Sequence, residues 1–263
     1  MSDINIVSVS GQNHAPSISL FNITLVFGKQ TLNDESKTGL FDLSIPWHDL
    51  PNNPSIFSLL SWHTRTSKFK GRDQEIGELM HWANDPRKIS IKFVTGKGGS
   101  GKSRLAAEFA ELLKKEKWAA GFADLRKSQT FRMQPEGTLL IVDYPEENQS
   151  AIKELFQDLA GLQYVNRLRV LFLTRQEISD WNDIVEESGV ANHADMKPIK
   201  LTGLDATSAH EIYLSAADKT GEILDIDWKP ITGDATAAWI DEAPENDLAL
   251  FIVAAAINNV VNP

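Results

Sequence analysis

The stretch VTGKGGSGKSRLA, residues 94–106, holds the densest chemistry in the chain. From Gly96 to Ser103 it satisfies GxxxxGK[ST], a pattern with a direct physical meaning. Gly96, Gly98, Gly99 and Gly101 carry no Cβ, so the backbone around them and Ser100 can curl into a nest of inward N–H groups that accepts anionic oxygens. A helix opening at the end of the loop adds its N-terminal field to the same place. Lys102 is then positioned for the β and γ oxygens of a nucleoside triphosphate and the Ser103 hydroxyl for Mg²⁺, with Arg104 directly after them.

Two further strand ends extend this chemistry. TLLIVD, residues 138–143, closes an apolar run on Asp143, a carboxylate suited to holding a magnesium shell. Hydrolysis also needs a group that orients water. Tyr144 and Pro145 follow Asp143, so the nearest acids are Glu146 and Glu147, and Glu146 is the candidate base. VLFLTR, residues 170–175, ends on Arg175, from which a guanidinium can reach a γ-phosphate and tell ATP from ADP. The bland alternatives are a turn or N-cap aspartate, a solvated loop acid and an arginine paired with a surface carboxylate.

Composition narrows the remaining possibilities. A chain of 263 residues, 42% hydrophobic and 24% charged, has room for one large α/β domain or a core with small appendages. It has no cysteine, which removes disulfides, thiolate zinc sites and cysteine nucleophiles. The net charge of −10 is unevenly spread. Residues 176–247 are acidic and should repel nucleic acid, whereas Arg65, Lys68, Lys70, Arg72, Arg87, Lys88 and Lys92 make 65–132 the natural surroundings of a bound nucleotide. The six histidines are scattered, without HExxH or paired spacing. No run approaches the roughly 18 apolar residues of a membrane span, and the first residues lack a signal-peptide pattern. The expectation is a cytoplasmic protein with no membrane partner.

Around these motifs, residues 1–65 read as short strands and turns: NIVSVS, ISLFNITLVFG with Phe21, Ile23, Leu25 and Phe27 alternating, and LFDLSIPW before the break at PNNPS. From residue 66 strands and helices alternate, which predicts a parallel sheet with right-handed crossovers. KFKGRDQEIGELMHWANDP is expected as a helix stopped by Pro86, ISIKFVT as the first strand and KSRLAAEFAELLKKE as an amphipathic helix with Leu105, Phe109, Leu112 and Leu113 on one face. WAAGFAD, TLLIVD, RLRVLFLT and PIKLTGL are expected as the next strands. After residue 204 the segments ATSAHEIYLSAAD, TAAWIDEA and NDLALFIVAAAINNVV read as helices. The expected architecture is a three-layer α/β phosphate-loop NTPase core over 66–204, preceded by a small β-containing leader over 1–65 and followed by a helical lid over 205–263.

Together the motifs resemble the STAND class of signalling ATPases, relatives of the NB-ARC and NACHT modules. FKGRDQEIGEL, residues 69–79, is similar to that class's hhGRxxE lead-in, VTGKGGSGKSRLA to its phosphate loop, LLIVDYPEE to its Walker B strand and VLFLTR to its sensor strand. The likeness spans about residues 66–257 and is closest to bacterial members with a VDYxE segment. It implies that Phe69, Gly71 and Arg72 meet the adenine and that Glu146 takes the acidic role. It further implies ATP and ADP with Mg²⁺ as cofactors, slow hydrolysis, and a lid that closes over ADP and opens for nucleotide-dependent self-association or for a separate sensor or effector protein. One departure is Asp247, which stands in PENDLALF where many members have the proline of a GxP motif.

Two other readings stay open. KGGSGKS also fits KGGxGK[ST], the loop of dimerising partitioning ATPases, in which the extra lysine, here Lys97, reaches phosphates across a dimer. Position and the DYPEE continuation speak against it, leaving Lys97 as a solvent-facing residue. The second is a nucleotide-dependent binding module with little turnover. Neither LSGGQ nor NKxD is present, which sets aside ABC transporter ATPases and GTPases.

Overall fold

The computed structural model describes residues 17–27, 40–162, 166–229 and 248–262. The expected strand NIVSVS, the expected helix TAAWIDEA and Asp247 lie outside these residues. In chain order the elements are β1 (Ser17–Leu20), β2 (Ile23–Val26), β3 (Leu40–Phe41), α1 (Ile56–Leu60), α2 (Asp73–Ala83), β4 (Ile89–Thr95), α3 (Lys102–Lys115) and β5 (Ala119–Phe122). They continue with β6 (Gln129–Arg132), β7 (Thr138–Asp143), α4 (Gln149–Gly161), β8 (Leu168–Thr174), α5 (Asn182–Glu187), β9 (Ala194–Lys200), α6 (Ala206–Leu224) and α7 (Ala249–Val261). None of the described helices is long and apolar enough to cross a membrane.

The chain forms two compact units. One comprises Met1–Ile45, Trp82–Thr95 and Phe109–Ile199, and the other Pro46–His81, Gly96–Glu108 and Lys200–Pro263. The segment expected as a leader therefore contributes to both.

The first unit is built on a parallel five-stranded sheet in the order β5-β7-β8-β4-β9, flanked by helices. The fourth strand of this sheet in chain order, β8, lies between the first, β4, and the third, β7, with Thr95 opposite Thr174 and Asp143 opposite Leu173. Every residue of β4 and β8 is buried, as the apolar sequences ISIKFVT and LRVLFLT demand of strands covered on both faces. Phe93 stacks on Phe172 at 5.4 Å between ring centres, and Phe156 of α4 meets Phe172 edge-on at 5.4 Å. Each such buried aromatic contributes about 1.5–3 kcal/mol of transfer free energy.

One residue breaks the apolar run of β8. Arg169 is fully buried, and its guanidinium donates to the carbonyls of Trp82 and Ala83 at 3.2 Å, Asp85 at 2.6 Å, Leu168 at 3.1 Å and Lys88 at 3.4 Å. It thus satisfies the carbonyls left open where α2 ends. Burial brings its pKa down to about 10.

A second, four-stranded sheet in the same unit has the order β1-β2-β6-β3. The run ISLFNITLVF, expected as one alternating strand, is instead a hairpin, with Leu20 opposite Ile23 and the turn made by Phe21 and Asn22. Phe21 takes φ +43°, and its N–H donates to the Asp158 carboxylate of α4 at 2.6 Å, which holds the turn. Strand β6, unmarked in the sequence, pairs in parallel with β2 and β3. On β5, a Cβ at Gly121 would lie 2.4 Å from the Ser44 carbonyl oxygen, whose acceptance of the Phe122 N–H at 3.0 Å requires that close approach.

In the second unit α6 and α7 pack together with α1 around Leu59, Ile212, Tyr213, Ala216, Ile252, Val253 and Ile257. Small residues on α6 and α7, Ala216, Ala217 and Ala256 among them, let the backbones approach. Asp205 caps α6, accepting from Ser208 N at 3.0 Å and Ser208 Oγ at 2.6 Å.

Candidate functional site

The phosphate loop belongs to the second unit, and its conformation follows from its glycines. Gly99 (φ +83°) and Gly101 (φ +91°) occupy the left-handed region that side chains rarely adopt. Gly96 is closely flanked, since a Cβ there would lie 2.9 Å from the Leu201 carbonyl oxygen and 2.9 Å from Ser100 Oγ. Ser100 N donates to Lys97 O at 3.3 Å, closing the turn, and Leu105 N to Gly101 O at 2.8 Å, starting α3. Lys102 is buried, its ammonium donating to Gly96 O at 2.7 Å and Lys97 O at 3.0 Å. Ser103 is the second residue of α3, while Lys97 and Gly98 are exposed.

Three supports fix the loop within this unit. Arg72 is buried, pairs with Glu75 at 2.8 Å, and sends its other terminal nitrogen to Thr202 O at 2.6 Å and Ser100 O at 3.4 Å. The GR pair of the lead-in thereby acquires a structural meaning. Gly71 takes φ +70° with Ser208 Cβ 2.5 Å from where its own Cβ would stand, and Arg72 ties that turn to the loop. The N-terminus of α7 is the second support: Leu250 N donates to Gly99 O at 3.1 Å. Arg104 is the third, pairing with Glu108 at 2.9 Å and donating to Trp62 O at 3.2 Å and Ser67 O at 3.5 Å. Its guanidinium lies 5.1 Å from the Trp47 ring centre. Phe69 is half-buried on the same lead-in.

The strand ends of the first unit carry the other predicted residues. Asp143 closes β7, and its Oδ1 accepts from Tyr144 N at 3.1 Å. Tyr144 sits at φ +54°, a bend that turns the chain into the short helix Pro145–Asn148 and brings Glu146 back towards β8. There Glu146 Oε1 accepts from Arg175 N at 3.3 Å. Arg175 itself is exposed, its guanidinium 5.2 Å from the Tyr144 ring centre.

Sequence reasoning did not single out the buried polar groups at these strand ends. Thr174 is buried beside Thr95, and Thr174 Oγ1 accepts from Gln176 N at 3.0 Å. Glu146 Oε2, Thr95 Oγ1 and Gln176 Oε1 are all buried without a hydrogen-bond partner. Buried oxygens of this kind mark places where water or ligand atoms complete the bonding. The available sequence signal was a threonine ending each of two apolar strands, ISIKFVT and LRVLFLT.

No protein-family model matches the chain, and no curated protein matches it. Solved structures do align with it. Domain III of the replication initiation protein DnaA from Thermotoga maritima aligns over 75% of this chain and 95% of that one, at 14% identity and a TM-score of 0.41. The Aeropyrum pernix ORC2 protein, solved as ADPNP and ADP complexes, aligns over 72% of this chain and 61% of its own, at 13% identity and a TM-score of 0.46. PCH-2 of C. elegans aligns over 75% and 72%, at 9% identity and a TM-score of 0.42. These are likenesses of chain course at low TM-score.

Proposed function

We propose that this chain binds ATP with magnesium, hydrolyses it slowly and uses the bound nucleotide to set a conformation, in the manner of the STAND signalling ATPases it resembles. The observation that carries this reading is the loop Gly96–Ser103, with Gly99 and Gly101 in left-handed backbone and the buried Lys102 ammonium held against the loop carbonyls. Such a loop suits phosphate oxygens, which would take over Lys102 from the Gly96 and Lys97 carbonyls. Ser103 and Asp143 are the residues that would offer protein oxygens to Mg²⁺, which would supply charge neutralisation at the phosphates. ATP with Mg²⁺ supplies a γ-phosphoryl group whose transfer to water calls on positioning and charge stabilisation rather than covalent chemistry.

The chain's own contribution to turnover rests on Glu146. One of its oxygens is fixed by Arg175 N and the other is buried without a partner, an arrangement suited to holding one water in a defined direction. Arg175 is the candidate reporter of the γ-phosphate, and its movement would begin from its place over the Tyr144 ring. Phosphate release would be followed by closure of the α6–α7 region over ADP, the Leu250–Gly99 bond being the direct link from α7 to the loop. Exchange for ATP then frees the chain to self-associate or to meet a sensor or effector protein.

Single-turnover measurement with Mg-ATP tests this. Glu146→Gln should retain ATP while slowing hydrolysis at least tenfold, and the particle mass should rise with Mg-ATP in wild type but not in Lys102→Ala. Measurable hydrolysis that is unchanged in Glu146→Gln removes that residue from the mechanism. A wild-type chain that binds ATP with no measurable turnover is the nucleotide-dependent module instead, a reading favoured by Tyr144 and Pro145 standing directly after Asp143 where a second acid would otherwise follow.

A further inference from the structure

Within the first unit, a cavity of about 600 Å³ opens beside β5 and β6, a volume in the range of small-molecule sites. Its walls bring together three cations from two elements: Lys114 at the end of α3, Lys117 just beyond it, and Arg132 closing β6. Lys117 follows the end of α3 and sits at φ +65°, with its N–H on Lys114 O at 3.0 Å, so the chain reverses there with both lysines facing the cavity. Among the described residues no carboxylate forms an ion pair with any of the three. Arg132 lines the cavity, while its Nε is buried out of reach of solvent without a hydrogen-bond partner. Burial draws the Lys114 ammonium below the ordinary lysine range, against the upward pull of Asp42 and Glu111.

The rest of the lining is different. Trp118 is buried, packed so closely on Gly137 that a Cβ there would lie 2.4 Å from its ring, and it supplies a rigid apolar side to the cavity. Asp42 and Glu136 stand at the lining as acceptors for hydroxyl groups. Three cations, an apolar wall and two exposed acceptors lining one cavity describe a recess for a small molecule with one concentrated negative charge and a polar body.

We infer that this cavity is a second ligand site, separate from the phosphate loop, that takes a small phosphate-bearing molecule through Lys114, Lys117 and Arg132. A phosphate monoester fits better than a single carboxylate because three cations line one cavity, and a dianion with three terminal oxygens offers an acceptor to each of them. The inference does not depend on ATP binding at the loop.

Ribose 5-phosphate is the probe, titrated calorimetrically into the full-length Lys102→Ala chain so that the phosphate loop is silenced. Saturable binding is expected, weakened at least tenfold by adding Arg132→Gln and likewise by adding Lys117→Gln, whose exposed side chain can be changed without touching the core. Circular dichroism checks that each variant is folded. If Lys102→Ala fails to fold, the same titration is made on wild type saturated with Mg-ADP. Absence of saturable binding, or binding that Arg132→Gln and Lys117→Gln leave unchanged, overturns the inference. In the Lys102→Ala chain either result is independent of whether Mg-ATP binds the wild type, so failure here and failure of the ATPase reading are told apart.

Discussion

Arg72, on the turn before α2, donates to the Thr202 carbonyl at 2.6 Å, and the same nitrogen reaches the Ser100 carbonyl inside the phosphate loop at 3.4 Å. A residue expected to meet adenine is thus also the tie that holds the loop to the segment after β9. Lysine cannot reproduce that fork, because one ammonium does not serve Glu75, Ser100 and Thr202 in their separate directions. Arg72→Lys should weaken ATP binding at least tenfold, and Arg72→Met should also lower unfolding free energy by about 2–4 kcal/mol by leaving Glu75 and the carbonyls unmet. Urea unfolding read beside an ATP titration separates the two effects.

Two glycines a few residues apart should respond in opposite directions to the same change. Gly71 has φ +70° and no room for a Cβ, so Gly71→Ala should destabilise the chain by about 1–3 kcal/mol and loosen nucleotide binding through the neighbouring Arg72. Gly77 lies inside α2 with nothing within 4 Å of where a methyl group would stand, so Gly77→Ala should stabilise by up to about 1 kcal/mol. Denaturant midpoints for the pair decide it, and a loss at both positions would contradict the assignment.

The cap on α6 predicts a pH dependence. Hydrogen bonds from the Ser208 hydroxyl and then the Ser208 N–H lower the Asp205 pKa from its ordinary 3.8. A carboxyl whose folded pKa is depressed binds fewer protons folded than unfolded, so its contribution is fully present above pH 3.8 and disappears as pH falls through the lower folded value. Asp205→Ala should cost about 1 kcal/mol at neutral pH. The gap in melting temperature between wild type and variant should stay constant down to about pH 5 and close below 3.8.

Arg169 is a fully buried charge in the first unit. With its side chain buried among the carbonyls of Trp82, Ala83, Lys88 and Leu168 and the Asp85 carbonyl at 2.6 Å, Arg169→Met should cost about 3–5 kcal/mol by removing the charged donor that the Ala83 and Asp85 carbonyls share, while the Trp82 and Lys88 carbonyls keep backbone partners. A loss below about 1 kcal/mol in chemical unfolding would show that water replaces the guanidinium there.

Much of this was legible in the sequence where one signal dominated. ISIKFVT and TLLIVD are the strands β4 and β7 to the residue, because a short apolar run between polar breaks has few other places to go. Of the predicted face of α3, Leu105, Phe109 and Leu113 are fully buried. The hairpin was hidden because the alternation in ISLFNITLVF continues through Phe21 and Asn22, whose turn depends on the Asp158 carboxylate far along the chain. Strand β6 was hidden because QTFR is short and polar and is defined by its neighbours β2 and β3. PIKLTGL misplaced the last strand, since β9 begins at Ala194, where His193 O accepts from Ile91 N at 2.8 Å. At the candidate site, the loop was readable from its glycines, whereas Thr202 and Leu250 support it from positions with no motif. Long-range backbone partners of this kind leave no local pattern to read.

The most direct test of nucleotide binding is calorimetric titration of Mg-ATP into the chain after bound nucleotide has been stripped. One saturable site in wild type, weakened at least tenfold in a folded Lys102→Ala, is the predicted result. Absence of binding in wild type, or equal affinity in the variant, would contradict the assignment of Gly96–Ser103 as a phosphate loop at work.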